Sequence, residues 1–241
     1  MQPLRFPASE PEWEKLPESR RHVRLCKALF EMLRAICCPQ HTVGWDQFVY
    51  FDAMDPKRKL APDAFVKLGV PDHDFDSYLV WEEGTPEVAF EVLSPSDTPE
   101  RWTFKEKLRR YHALGVRELL CINVDAKPGK RLRAWDRIEH DLVERVVTGE
   151  KTPCLVLGVT LLVGHVDVYP VALRIARDAA GLDLVLTESE AADEASAQRD
   201  AVMAERDEAS AQRDAAMARI AALEKQLAAK PRAKRRSTTR R

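Results

Sequence analysis

The chain has no apolar run approaching the roughly 20 residues that a membrane-spanning helix needs. Its opening, Met1-Gln2-Pro3-Leu4-Arg5-Phe6-Pro7, lacks the apolar centre of a secretory signal, so a cytoplasmic protein without a membrane partner is expected. Cysteine is scarce and odd in number: Cys26, Cys37, Cys38, Cys121 and Cys154. Their spacing contains no paired zinc-ligand motif, which leaves reduced core thiols rather than a disulfide scaffold. The adjacent pair Cys37-Cys38 ends an apolar helical stretch and reads as packing. A surplus of positive charge is also missing. The net charge is −1, and seven of the 38 basic residues lie in 230–241, leaving 31 basic against 39 acidic residues, or −8, in 1–229. An acidic body argues against strong general nucleic-acid binding. It leaves room for a cleft whose carboxylates take a metal before they accept phosphate. Finally, glycine and proline are absent from 182 to 230, which removes the usual helix breakers there.

What is present is 241 residues with 45% apolar content, enough for one domain of about 150 to 190 residues and an appendage. Residues 1–18 form an irregular lead-in rich in Pro and Glu. In 19–38, Val23, Leu25, Cys26, Leu29, Phe30, Leu33 and Ile36 recur at three and four, an amphipathic helix that Pro39 stops. Strands are expected at Gln47–Phe51, at Ala64–Leu68 after Pro62-Asp63, and at Pro86–Leu93, which a turn at Ser94-Pro95-Ser96 closes. A helix over 99–114, capped by Gly115, leads to a strand from Glu118 to Val124. A connector of this length favours a right-handed parallel crossover. Arg131–Trp135 and Asp141–Val147 read as a hairpin, and Leu155–Tyr169 as one or two further strands. Val171–Arg177 reads as a short helix. The order αβββαβ, then more strands, predicts an α/β or α+β domain over 19–188 with a central mixed sheet.

From 189 to 229 the sequence is a long helix. Asp193–Arg206 recurs as Asp207–Ile220, and the 14-residue period is two heptads. Two seams run back from Leu223 and Leu227. One is Ala216, Ala209, Val202 and Ala195; the other is Ile220, Arg213, Arg206 and Arg199. The first is apolar but thin and the second poor, so a coiled coil and a solvated charged helix both fit. After Pro231 a basic, disordered tail is expected over 230–241.

The chemistry concentrates on Glu91. It interrupts a buried apolar run, where a carboxylate is costly unless paired. On the pleat it shares a face with Glu87, Ala89 and Leu93, while Val88, Phe90 and Val92 face the other way. Asp63 has a similar setting at a strand entry, although aspartate after proline also suits a turn. On the following helix Phe104, Leu108, Tyr111, Leu114 and Gly115 share one face. Lys107 lies roughly 50° from its centre and Lys105 roughly 110° away. Lys107 can therefore reach inward, though a lysine on the border of an apolar face also suits that position. Two strand carboxylates plus a lysine are the inventory of a Mg²⁺-dependent phosphodiester hydrolase. Glu87 reads as a salt-bridge partner. Asp72, Asp74 and Asp76 lack the glycine and distal glutamate of a calcium loop and read as a solvated turn.

Pro62-Asp63, then Glu91-Val92-Leu93-Ser94-Pro95-Ser96, then Lys107-x-x-x-Tyr111-x-x-x-Gly115-Val116-x-Glu118, closely resembles the Uma-two family of restriction-endonuclease-like proteins, within the PD-(D/E)XK nuclease superfamily. The resemblance spans roughly residues 20 to 170. It implies a restriction-endonuclease-like core, a divalent metal (Mg²⁺, with Mn²⁺ as a substitute), and hydrolysis of a phosphodiester in DNA. It also implies that Asp63 and Glu91 are metal ligands and that Lys107 is the catalytic lysine. One departure stands out. The superfamily's lysine two residues after the glutamate is Leu93 here, and the resemblance implies that Lys107 supplies the charge from the helix. Two functions follow: a metal-dependent DNA endonuclease, dimeric through its helical tail, or a retired nuclease fold acting as a nucleic-acid-binding or coiled-coil assembly module.

Overall fold

The computed structural model describes residues 4–9, 18–95 and 102–229. Most of the lead-in, the last residue of the Ser94-Pro95-Ser96 turn and the basic tail lie outside them. The chain divides after Glu188 into two compact units.

The first unit is built on a six-stranded sheet in the order β1 (Thr42–Gly44), β4 (Ala64–Lys67), β6 (Val88–Leu93), β7 (Glu118–Asn123), β8 (Leu132–Ile138) and β9 (Asp141–Arg145). Only β6 and β7 run parallel, with Glu91 opposite Cys121; every other pairing is antiparallel. Helices cover both faces. α1 (Arg20–Cys37) starts at Ser19, whose hydroxyl accepts from His22 N. It packs Leu25, Leu29, Met32 and Leu33 against Val88, Phe90 and Val92. α3 (Phe104–Leu114) packs Tyr111 and Leu114 against Ala89, Leu119, Cys121 and Trp135. The alternation along β6 thus divides between two helices, as a central strand requires. Read as α1, β1, β4, β6, α3, β7, the core is αβββαβ, a mixed α+β fold consistent with the restriction-endonuclease-like class.

Two smaller sheets flank this core. One is β3 (Lys59–Leu60), β2 (Val49–Tyr50) and β5 (Tyr78–Leu79), followed by the single turn α2 (Val80–Glu83). The other is the meander β10 (Lys151–Cys154), β11 (Val159–Val166) and β12 (Tyr169–Ala176).

Three local expectations are corrected. The strand expected at Gln47–Phe51 shrinks to β2 and sits in a small sheet; the core strand is Thr42–Gly44. A Cβ at Gly44 would clash with the Phe65 ring, so the position needs a glycine, and the strand lacks an alternating signal. Val171–Arg177 is not a helix: Val171–Ala176 belong to β12, where Leu173 pairs with Val163 and Ile175 with Leu161. Residues Ala172 to Ala176 are all buried, and a short run buried on both faces has no period of its own. Of the helix expected over 99–114, residues 99–101 lie outside the described residues, and the helix starts at Phe104, behind a capping box in which Thr103 and Glu106 satisfy each other's backbone donors. Gly115 ends it at φ +94°, in the left-handed region.

The second unit consists largely of α4 (Glu188–Ala229), 42 residues. Val202, Met203, Met217, Ile220 and Leu223 are exposed on it. No helix among the described residues is long and apolar enough to cross a membrane.

Candidate active site

The local structure brings the sequence-predicted residues together. β4 and β6 pair Ala64 with Phe90, so one further register step sets Asp63 across from Glu91. There the regular ladder ends, and the Asp63 side chain replaces it: Oδ2 accepts from Val92 N at 2.6 Å. On the other side of β6, α3 presents Lys107 and Tyr111 one turn apart, a spacing that stacks two side chains on one helix face. Lys107 Nζ donates to Glu91 Oε2 at 2.6 Å, and the Tyr111 hydroxyl donates to Glu91 Oε1. Glu91 itself is 2% exposed. Lys105 is exposed, in keeping with the helix geometry. Leu93 packs in the α3-side core, so the helix and not the strand supplies the ammonium. Glu87 takes the structural role expected of it, accepting from Lys67 Nζ at 2.7 Å and Leu68 N at 2.8 Å.

Burial pushes the Glu91 carboxyl above the ordinary glutamate range; Lys107 opposes that shift and the neighbouring Asp63 charge adds to it. Burial, and then Glu91, push the Tyr111 phenol well up, so it stays a hydrogen-bond donor. Two carboxylates crowded at a low-dielectric strand end are a setting that a divalent cation relieves. The donor set therefore fits a metal site.

Three contributors were missed in the sequence. Tyr111 falls on the inward face of its helix, but no local signal announces its bond to Glu91. His22 sits on α1 with Nε2 3.3 Å from Asp63 Oδ1, and its Nδ1 lies 3.2 Å from Ser94 Oγ. Cys26 Sγ is 3.5 Å from His22 Nε2. A histidine and a cysteine four apart on a helix were the available signal. What gives them meaning is Asp63, far away in sequence.

A family model described as "Uma2: Putative restriction endonuclease" matches residues 12–161. The chain belongs to the Uma2 family. No curated protein and no solved structure gives a significant match. The Uma2 match runs from before α1 into β11, taking in His22, Asp63, Glu91 and Lys107, and stops short of α4. Uma2 belongs to the restriction-endonuclease-like superfamily, which points to a nuclease acting on nucleic acid and, in general, to a divalent metal.

Proposed function

We propose that this Uma2 protein is a metal-dependent endonuclease that hydrolyses phosphodiester bonds in DNA, with Asp63, Glu91 and Lys107 as its working residues. The observation that carries the reading is the buried Glu91 carboxylate, with Lys107 Nζ at 2.6 Å and the Asp63 strand entry across from it. Asp63 and Glu91 would hold the cation, Mg²⁺ or Mn²⁺. When bound, it would neutralise phosphate charge and lower the pKa of a water molecule. Asp63 is fixed by the Val92 N–H, so its carboxylate is oriented before any ligand arrives. Tyr111 holds one oxygen of Glu91 and fixes its rotation. Lys107 sets its ammonium beside Glu91, where charge would build on the scissile phosphate during in-line attack by water.

An acidic chain also needs a place to hold a polyanion. Along α3 a groove is lined by Lys57, Arg58, Arg109 and Arg110 with Phe51 and Trp102, four cations against the two carboxylates of Asp55 and Glu106. The Arg110 guanidinium lies 3.9 Å from the centre of the Trp102 ring, and Arg58 lies 5.3 Å from that of Phe51. Cations interleaved with aromatic faces suit a nucleic-acid strand.

The proposed domain limits are 19–188 for the nuclease-like body, 189–229 for a helical oligomerisation segment favouring a dimer, and 230–241 for a basic tail; the division after Glu188 supports the first of these boundaries. The exposed apolar side chains of α4 also favour a second reading, an assembly module on a retired nuclease fold. Cleavage of plasmid and oligonucleotide DNA with Mg²⁺ or Mn²⁺ decides between them. Wild-type cleavage that disappears in Glu91→Ala and Lys107→Ala, with folding intact, supports the enzyme. An inactive wild type across metals and DNA forms leaves the assembly module.

A further inference from the structure

The separations around His22 carry more than a positioning role. Its Nε2 faces two groups at once, Asp63 Oδ1 at 3.3 Å and Cys26 Sγ at 3.5 Å. All three ligand atoms lie within 4.8 Å of one another. The Nε2···Oδ1 contact is longer than the about 2.7–2.9 Å of a strong N–H···O⁻ hydrogen bond. The two spacings from Nε2 instead match edges of a tetrahedron. With zinc bonds of about 2.0 Å to nitrogen and oxygen and about 2.3 Å to sulfur, the N···O edge is about 3.3 Å and the N···S edge about 3.5 Å.

We propose that His22 Nε2, Cys26 Sγ and Asp63 Oδ1 form a site for a tetrahedral transition-metal dication of the Zn²⁺ or Co²⁺ class. Three observations support it independently of the distances. The i, i+4 spacing on α1 aims His22 and Cys26 from one rigid helix face. Ser94 Oγ lies 3.2 Å from the other ring nitrogen; a proton on Nδ1, donated to Ser94, frees the Nε2 lone pair for the ion, as in most metal-bound histidines. The charges also balance: a neutral imidazole, a thiolate and a carboxylate cancel a dication. On binding, the Cys26 thiol loses its proton to solvent, and the sulfur forms the bond to the metal. Nitrogen and sulfur ligands select against Mg²⁺, which requires oxygen in an octahedron. The fourth position remains for water or phosphate oxygen, as in catalytic zinc sites.

The site shares Asp63 with the proposed nuclease centre. It rests on that reading for what the ion does, but not for the ion being bound. The test is titration of the full-length, reduced protein with Co²⁺, read by absorption and calorimetry. The expected result is one ion per chain with a thiolate-to-cobalt charge-transfer band. That band should vanish in Cys26→Ser, and affinity should fall at least about 10-fold in His22→Ala. The wild-type spectrum decides even where a variant fails to fold. Co²⁺ bound without a thiolate band, or no Co²⁺ bound at all, overturns the inference. Co²⁺ bound without the band but lost in Glu91→Ala would overturn it while leaving the nuclease reading standing, which the cleavage assay judges separately.

Discussion

Glu118 offers the sharpest test of how this fold is held together. It opens β7, is 1% exposed, and ties the main sheet to the β10 meander. One carboxylate oxygen accepts from Arg145 Nη2 at 2.7 Å and from Leu155 N at 3.1 Å. The other accepts from Val156 N at 2.9 Å and from Cys154 Sγ at 3.3 Å. Glu118→Ala removes the acceptor and strands the Leu155 and Val156 N–H groups and the Cys154 thiol, while Arg145 loses its buried carboxylate and keeps Pro153 O and Asp136. Breaking a buried ion pair by deleting one partner costs about 3–5 kcal/mol. Each stranded backbone N–H adds about 1–3 kcal/mol where water cannot reach it. The terms overlap because the donors share one carboxylate, so about 4 kcal/mol is the expected loss. For a body of this size that lowers Tm by roughly 8–16 °C. Glu118→Gln keeps the shape and one acceptor, and should lose about half as much. The assay is urea or thermal unfolding followed by tryptophan fluorescence. All five tryptophans precede α4 in the sequence, so this signal excludes the long helix, which would dominate circular dichroism. A Glu118→Ala loss below about 1 kcal/mol would refute the reasoning, because a solvated or redundant carboxylate behaves that way.

Other consequences are open to measurement. Tyr111→Phe keeps the core volume but frees one Glu91 oxygen; cleavage should fall about 10- to 100-fold and stability by about 1–2 kcal/mol, and unchanged cleavage would remove Tyr111 from the site. Burial raises every cysteine thiol, Cys37 to about 12 and Cys38 to about 11, with Cys26, Cys121 and Cys154 also well up. Thiolate therefore forms in the folded chain only as pH rises far above 8. Maleimide at pH 8 should label the native protein slowly and all five free cysteines after unfolding; fast native labelling would contradict the burial. Reversing Arg109 and Arg110 to Glu should weaken oligonucleotide binding in EDTA and flatten its salt dependence by about two phosphate contacts, and an unaltered salt slope would clear the α3 groove of any part in it.

The β6–α3–β7 unit was legible because each of its signals is local. An apolar run closes at Ser94-Pro95, a helix period turns Lys107 inward, and a glycine ends the helix. Thr42–Gly44 was not legible, since three residues carry no alternation and Gly44 is there for the Phe65 ring. Val171–Ala176 has the look of a short helix because a strand buried on both faces carries no period of its own until its partner is known. The site followed the same division. Asp63, Glu91 and Lys107 could be singled out from costly or well-aimed positions along the chain. His22 and Cys26 gain their meaning only from Asp63, which the sheet brings to them, and Glu118 from donors on β9 and the turn after β10.

Lys107 and Tyr111 are one helical turn apart on a segment clamped at its start by the Thr103–Glu106 box and at its end by Gly115. They therefore turn as one body, and Glu91 gains or loses both donors together. Shifting the register of α3 by one residue between Thr103 and Lys107 would rotate both by about 100° and leave the strand carboxylate facing bare helix. The length of the eleven-residue α3 thus sets where both donors meet Glu91: a single inserted or deleted codon there takes both from the carboxylate at once.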